Sequence, residues 1–330
     1  MQNTRAAIGV DVGGTKTKGA LVDESGDILL RVERLTERSA GTKGILAVVD
    51  DLVARSGELD VDVVGVGVGA AGFIDASSGS VIFSPNLTYD DVHVADAVRV
   101  RAQLPVAVEN DANAAAWGER AFGAAQGVDN LAYLTVGTGI GSGFVVEGRL
   151  LRGLTGAGAE LGHTVIDPDG PQCGCGLRGC LEQFAAGQAI ERMAREALAQ
   201  GAESAMVSYA GSRDSVTTED VARAAHAYDE VACSVLKRAG RALGIGLSNV
   251  ANIFDPELIL LGGSVIRAGE PFLGPARDQL FEMTAAQRRR PMRLGVTSLK
   301  GDAGIVGAAA LAFGVAGEHD VVEDGRSPTR

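Results

Sequence analysis

The chain has 330 residues, 46 of them glycine, and a formal net charge of −12. That length supports two domains with their own cores. The acidic balance argues against nucleic-acid binding driven by phosphate neutralisation, and the lack of an uninterrupted apolar run of about 18 residues argues against a membrane span. Glycines beside Val/Ile/Leu runs are the pattern of an α/β protein with tight strand-to-loop junctions.

No secretory signal pattern precedes the first strand. Ala6–Asp11 reads as a strand that ends in Gly13-Gly14-Thr15-Lys16, with Thr17–Val22 and Ile28–Glu33 as the next two strands. A β-hairpin beginning at a Gly-rich turn therefore opens the chain. Thr42–Arg55 has helical spacing, with Ile45, Leu46, Val48, Val49, Leu52 and Val53 apolar. Val61–Val68 is a buried strand running into Gly69-Ala70-Ala71-Gly72. Val94–Arg101 is a short helix, and Val106–Glu109 the next strand.

Ala112–Phe122 reads as a helix and Asn130–Val136 as a strand that ends in Gly137-Thr138-Gly139-Ile140-Gly141. Ser142–Glu147 is the strand after it, and Gly148 opens a turn into Leu150–Leu151. A strand, a Gly/Thr turn and a second strand thus occur twice. This predicts an internal duplication, in which two α/β halves present Gly-rich hairpins to a shared cleft. Helices follow at 185–200, 218–227 and 228–252. Glu257–Leu261 is a strand entering Gly262-Gly263-Ser264, Arg293–Ser298 is the last strand, and Ala303–Gly314 is an apolar helix. The expected domains are 1–112, completed by the helix near 303–316, and 113–302, with a hinge near Glu109–Asn113. The polar tail 317–330 is expected to be disordered.

Four groups of residues carry chemistry. In Asp11-Val-Gly13-Gly14-Thr15-Lys16, two glycines admit a phosphate to the backbone, while Thr15 adds a hydroxyl and Lys16 a charge. Asp11 could hold a metal ion through water. The spacing is not that of a Walker loop, and an ordinary Gly turn is the plainer reading. Gly137-Thr138-Gly139 repeats the logic, and two such loops between paired strands suggest a phosphate clamp. Gly262-Gly263 is either a nucleoside-facing turn or a plain strand-to-helix junction.

Glu109-Asn110-Asp111-Ala112-Asn113 joins a strand to a helix. Asn or Asp there could simply cap the helix. A carboxylate at a strand end is also well placed to take a proton from a hydroxyl attacking a phosphoryl group, and Asp111 is the candidate base. His163, Cys173, Cys175 and Cys180 have the composition of a closed tetrahedral zinc site, which leaves no position for an activated water. Clustered cysteines without a secretory signal read as reduced thiolates on a metal, hence a cytoplasmic location. Glu160 and Glu182 flank this group and could accept hydroxyl hydrogen bonds. Asn86, in a polar loop, is either a further contact or a turn residue. Cys233 reads as simply buried.

Taken in order, Asp11-x-Gly-Gly-Thr-Lys, Glu109-Asn-Asp-Ala-Asn, Gly137-Thr-Gly-x-Gly, Glu160-x-Gly-His and Cys173-x-Cys-Gly-x-x-Gly-Cys-x-Glu resemble the ROK family of bacterial sugar kinases and sugar-responsive repressors. The resemblance covers about residues 6–314 and is nearest to ROK glucokinases of the actinobacterial type. It implies two ribonuclease-H-like α/β domains of the actin/hexokinase superfamily, with an interdomain cleft. It implies ATP-dependent phosphorylation of the glucose 6-hydroxyl, with Asp111 as base. Asn86, Asn110, Glu160, His163 and Glu182 would hold the other hydroxyls, and His163 would also ligate zinc. Gly13–Lys16 and Gly137–Gly139 would hold the ATP phosphates with Mg²⁺, and Gly262–Ser264 would lie near the adenosine.

A homodimer or homotetramer is the implied assembly, with no nucleic-acid or membrane partner. Alternatives are a kinase for mannose, N-acetylmannosamine or fructose, a polyphosphate-using glucokinase, or a sugar-responsive regulator. A regulator would carry a helix-turn-helix domain before the first strand, where only about five residues stand here. The chain departs from the family pattern at Ala71, where many members have Pro in a turn that helps line the sugar pocket.

Overall fold

The computed structural model describes residues 4–37, 41–84, 87, 89–284 and 292–323, with side chains to residue 317. Among these residues, no helix is long and apolar enough to cross a membrane. The chain divides into two compact units. The first comprises Met1–Val128, Gly143–Ala159 and Thr297–Arg330, and the second Asp129–Ser142 and Glu160–Val296.

In the first unit, β1 (Thr4–Val12), β2 (Lys16–Asp23) and β3 (Ile28–Leu35) form the predicted antiparallel opening. After α1 (Lys43–Ser56), β4 (Val61–Ala70) lies parallel to β1. Three short strands follow: β5 (Phe73–Asp75), β6 (Ser80–Ser84) and β7 (Tyr89–His93). They form a separate antiparallel sheet that the sequence reading did not anticipate. Then come α2 (Val94–Ala102), β8 (Val106–Asn110) beside β4, and α3 (Asp111–Phe122). The sheet order is β3-β2-β1-β4-β8. One face carries a core of Ile8, Val10, Leu21, Ile45, Val48, Leu52, Val66 and Val68.

The other face is covered by α10 (Ala303–Glu323), which packs on β1, β4 and α3. This helix runs past Gly314, where the apolar pattern was read to end. The contact is close because side chains are missing from it. A Cβ on Gly9 would overlap Ile305 O, and one on Gly67 would overlap Ala308 O.

The second sheet is built from β9 (Leu131–Val136), β10 (Ile140–Val146), β11 (Arg149–Leu150), β12 (Leu258–Gly262) and β13 (Arg293–Val296). Its order, β11-β10-β9-β12-β13, places the antiparallel hairpin on one side and the parallel strands on the other, as in the first sheet. Both sheets thus have the order 3-2-1-4-5 by position in their own half, which bears out the duplication.

Helices of the second unit are α4 (Glu182–Ala185), α5 (Gly187–Ala199), α6 (Met206–Ala210), α7 (Thr218–His226), α8 (Glu230–Phe254) and α9 (Glu270–Met283). The helix predicted over 185–200 is broken at Ala186, whose backbone is extended. The reason is tertiary, since the Gly187 N–H donates to Gly137 O at 2.8 Å. A helix is expected after the Gly262-Gly263 junction, and α9 is that helix; Pro271, Gly274 and Pro275 interrupt its pattern and hide its bounds. It persists by packing on α8, where a Cβ on Gly240 would overlap Phe272 O.

Candidate active site

Functional side chains gather at two places, one in each unit. In the first unit, Asp11 is the penultimate residue of β1, and the tight turn after the strand closes with Gly13 N–H donating to Lys16 O at 3.0 Å. The Thr36 hydroxyl donates to Gly13 O at 2.8 Å and holds the turn from β3. Lys16 is exposed, and its ammonium pairs with Glu33 at 2.5 Å. Asp11 lies against the first turn of α10, where a Cβ on Gly304 would stand 3.1 Å from its Cγ. Burial, then the neighbouring Asp111 carboxylate, raise its carboxyl to about 6, with Lys18 opposing.

Strand β8 delivers Glu109, Asn110 and Asp111 to the start of α3. Asn110 is the N-cap: its Oδ1 accepts from Ala112 N at 2.9 Å and Asn113 N at 3.1 Å. Its Nδ2 donates to Gly72 O at 3.1 Å, tying the cap to the turn before β5. Asp111 Oδ1 also accepts from Ala112 N, at 2.9 Å. Burial pushes the Asp111 carboxyl above the ordinary carboxylate range, with that N–H opposing. A carboxylate held at a helix N-terminus, yet partly desolvated, is a fixed acceptor with enhanced basicity.

Glu109, with 3% of its side chain exposed, supports this arrangement. Its Oε1 accepts from Asn110 N and Asn113 Nδ2, each at 3.1 Å. Its Oε2 accepts from Arg152 Nε at 2.6 Å. Arg152 was not picked out by the sequence reading. It sits in a Gly-rich loop 43 positions away, and no local pattern links it to Glu109.

In the second unit, His163 ends a single 3-10 turn that begins after Glu160, and its N–H donates to Glu160 O at 3.1 Å. The ligand atoms of His163, Cys173, Cys175 and Cys180 all lie within 4.8 Å of one another. Cys173 Sγ is 3.7 Å from His163 Nδ1, and Cys175 Sγ is 3.6 Å from Cys180 Sγ. A tetrahedron of thiolates around zinc has edges of about 3.8 Å, so these donors suit a closed metal site in number, chemistry and spacing. Burial, then the neighbouring thiols, push the Cys180 thiol up to about 12. A cation among the sulfurs would reverse that shift. The loop folds through Gly179, whose φ is 74° and where a Cβ would overlap Asp167 O.

Two residues after Cys180, Glu182 opens α4, and its Oε2 accepts from Ile140 N at 2.9 Å. Near the β9–β10 turn, a cavity of about 750 Å³ is lined by Gly137, Thr138, Thr218, Arg223, Ser264 and Arg267, among others. Gly137, Thr138 and Ser264 therefore share one cavity. Gly262 is paired with Thr135 inside the sheet. Gly263 has a φ of 93° and packs on the backbone of Val136. Thr218 and the two arginines were missed as lining residues. The capping box of Thr217 and Asp220 marks the start of α7 but says nothing of what lies beside it. Asn86 lies outside the described residues.

The likeness to known proteins runs through both places. The chain is 38% identical over 305 residues to the glucokinase of Thermotoga maritima, covering 92% of this chain and 96% of that protein. The crystal structure of a ROK family glucokinase from Streptomyces griseus, in complex with glucose and AMPPNP, is 40% identical. It superposes with a TM-score of 0.82 over 94% of this chain and 99% of that one. The xylose repressor of Bacillus subtilis is 30% identical over 308 residues, 92% of this chain and 76% of the repressor. Glucokinases and repressors thus share one framework with this chain. The ROK family model matches residues 7–314, so the chain belongs to the ROK family, with the actin/hexokinase-like fold of its members.

Proposed function

We propose that the protein is an ATP-dependent glucokinase. The reading is carried by its likeness, over nearly the whole chain, to a glucokinase that binds glucose and AMPPNP. Asp111 takes the proton from the 6-hydroxyl of glucose as that oxygen attacks the γ-phosphorus. The bond from the γ-phosphorus to the bridging oxygen of ADP breaks, and glucose 6-phosphate and ADP leave. The raised basicity of Asp111 suits this task, and the Asn110 cap with Glu109 and Arg152 keeps its backbone in place.

Asn86, Asn110, Glu160, His163 and Glu182 hold the remaining hydroxyls. The turns at 13–16 and 137–139 hold the phosphates, and the cavity bordered by Ser264 takes the nucleoside. Mg²⁺, when bound with ATP, supplies charge neutralisation, and Asp11 is the residue to hold it. Zn²⁺ on His163, Cys173, Cys175 and Cys180 supplies no reaction step and shapes the loop between Glu160 and Glu182. A homodimer or homotetramer is part of the same reading.

The test is a coupled assay for glucose 6-phosphate, with glucose, mannose, N-acetylmannosamine and fructose crossed against ATP, GTP and polyphosphate. Glucose with ATP is the expected best pair, and a large preference for another sugar or donor overturns it. Asp111→Asn should retain glucose binding and lose about 10²–10⁴-fold in kcat. Near wild-type turnover in that variant would refute the base assignment.

The likeness to the xylose repressor favours a second reading, a sugar-responsive regulator. Retention on DNA at moderate salt, with no sugar phosphorylation, would select it.

A further inference from the structure

One carboxylate ties the metal loop to the β9–β10 turn. Glu182 Oε2 accepts the Ile140 N–H at 2.9 Å. A Cβ on Gly139 would overlap the same oxygen, and no left-handed backbone accounts for a glycine there. A side chain at position 139 would therefore have to displace the Glu182 carboxylate.

The other end of the turn is held from the same segment, with Gly187 N–H donating to Gly137 O at 2.8 Å. The Thr218 hydroxyl in turn donates to Gly187 O at 3.1 Å and brings in α7 at the cavity wall. The segment 182–187 cannot easily shift. Leu181 is fully buried with its side chain against Gly246 of α8, and its N–H donates to Thr164 O at 2.9 Å, next to His163. A carboxylate has two oxygens. With Oε2 engaged by the turn, Oε1 is the one to meet a hydroxyl.

We propose that Glu182 is a positioning residue for the Gly137–Gly139 turn as well as a sugar contact, and that Gly139 determines where that carboxylate stands. Nucleotide and sugar affinities are thereby coupled through one side chain. This rests on the kinase reading above. Gly139→Ala displaces the flexible end of Glu182 and weakens sugar binding from a position on the nucleotide turn. Glu182→Gln removes the charge from the bond to Ile140 and loosens the turn from a position on the sugar side.

The experiment measures glucose dissociation constants without nucleotide, and Mg²⁺–AMPPNP dissociation constants without sugar, by calorimetry on wild type and both variants. Thermal melts and metal content are checked on the same samples. Gly139→Ala should raise the glucose constant about tenfold, and Glu182→Gln the AMPPNP constant about fivefold. An unchanged glucose constant in the first variant, or an unchanged AMPPNP constant in the second, overturns the proposal. Amide hydrogen exchange of residues 137–141 decides the link without any ligand. Faster exchange in Glu182→Gln supports it, and unchanged exchange sinks it even if Gly139→Ala fails to fold. A wild type that phosphorylates no sugar removes the kinase reading instead, and the exchange result still stands.

Discussion

Asp11 and Asp111 are two carboxylates whose environments raise both above the ordinary range. The Asp111 carboxylate adds to the rise of Asp11, while burial is what raises Asp111. For Asp11 the folded value of about 6 lies above the ordinary 3.8. The stability that the fold lends to its protonated form is full below pH ~4 and lost as pH rises through ~6. Asp11→Asn should therefore match wild-type stability near pH 4 and exceed it by up to about 3 kcal/mol above pH 7, measured by urea unfolding across pH. A stability difference that does not vary with pH would refute the assignment. Asp111 stood out in the sequence as a strand-end carboxylate before a helix. Asn110 caps α3, with Oδ1 on two amides, and the sugar contact proposed for it is a second role of the same side chain. Arg152 was illegible, because its pairing with Glu109 depends on where a distant loop returns.

Among the elements, α10 and its glycine contacts decide the core of the first unit. Residues Gly9 and Gly67 of the sheet meet α10, and Gly307 of α10 would overlap Ala114 O if it bore a Cβ. Because Gly67 faces helix backbone, a methyl group there has no flexible side chain to displace. Gly67→Ala should cost at least about 2 kcal/mol, read as a lower urea midpoint with an unchanged m-value; wild-type stability would contradict the packing. Glu119, fully buried in α3, fastens the segment leading into α10 by accepting from Thr297, Ser298 and Leu299. The two hairpins were legible because strand, Gly turn and strand is a local pattern. The β5–β7 sheet was not, because Phe73, Ile82 and Phe83 are exposed and the strands are too short to show alternation.

For the whole molecule, the loop from His163 to Cys180 is a small fold of its own, closed by turns and two isolated bridges rather than by a core. A segment of this kind, with a metal bound as proposed, would draw its stability from the ion. Removing the metal by chelation should lower Tm by about 5–10 °C, with recovery on adding Zn²⁺, followed by calorimetry and metal analysis of the same sample. A metal-free protein that melts like the loaded one would end the structural-zinc assignment. The sequence by itself determined the α/β class, the repeated hairpins, the four converging metal donors and the family. Each of these is a matter of residue type at short spacing, where chain geometry alone brings the groups together. Only the tertiary structure decided that α10 lies across β1 and β4, that Arg152 neutralises Glu109, and that Glu182 grips the turn at Ile140. Those contacts join residues from 42 to more than 200 positions apart. They form only where packing distances let them, and no local pattern in the chain records those distances.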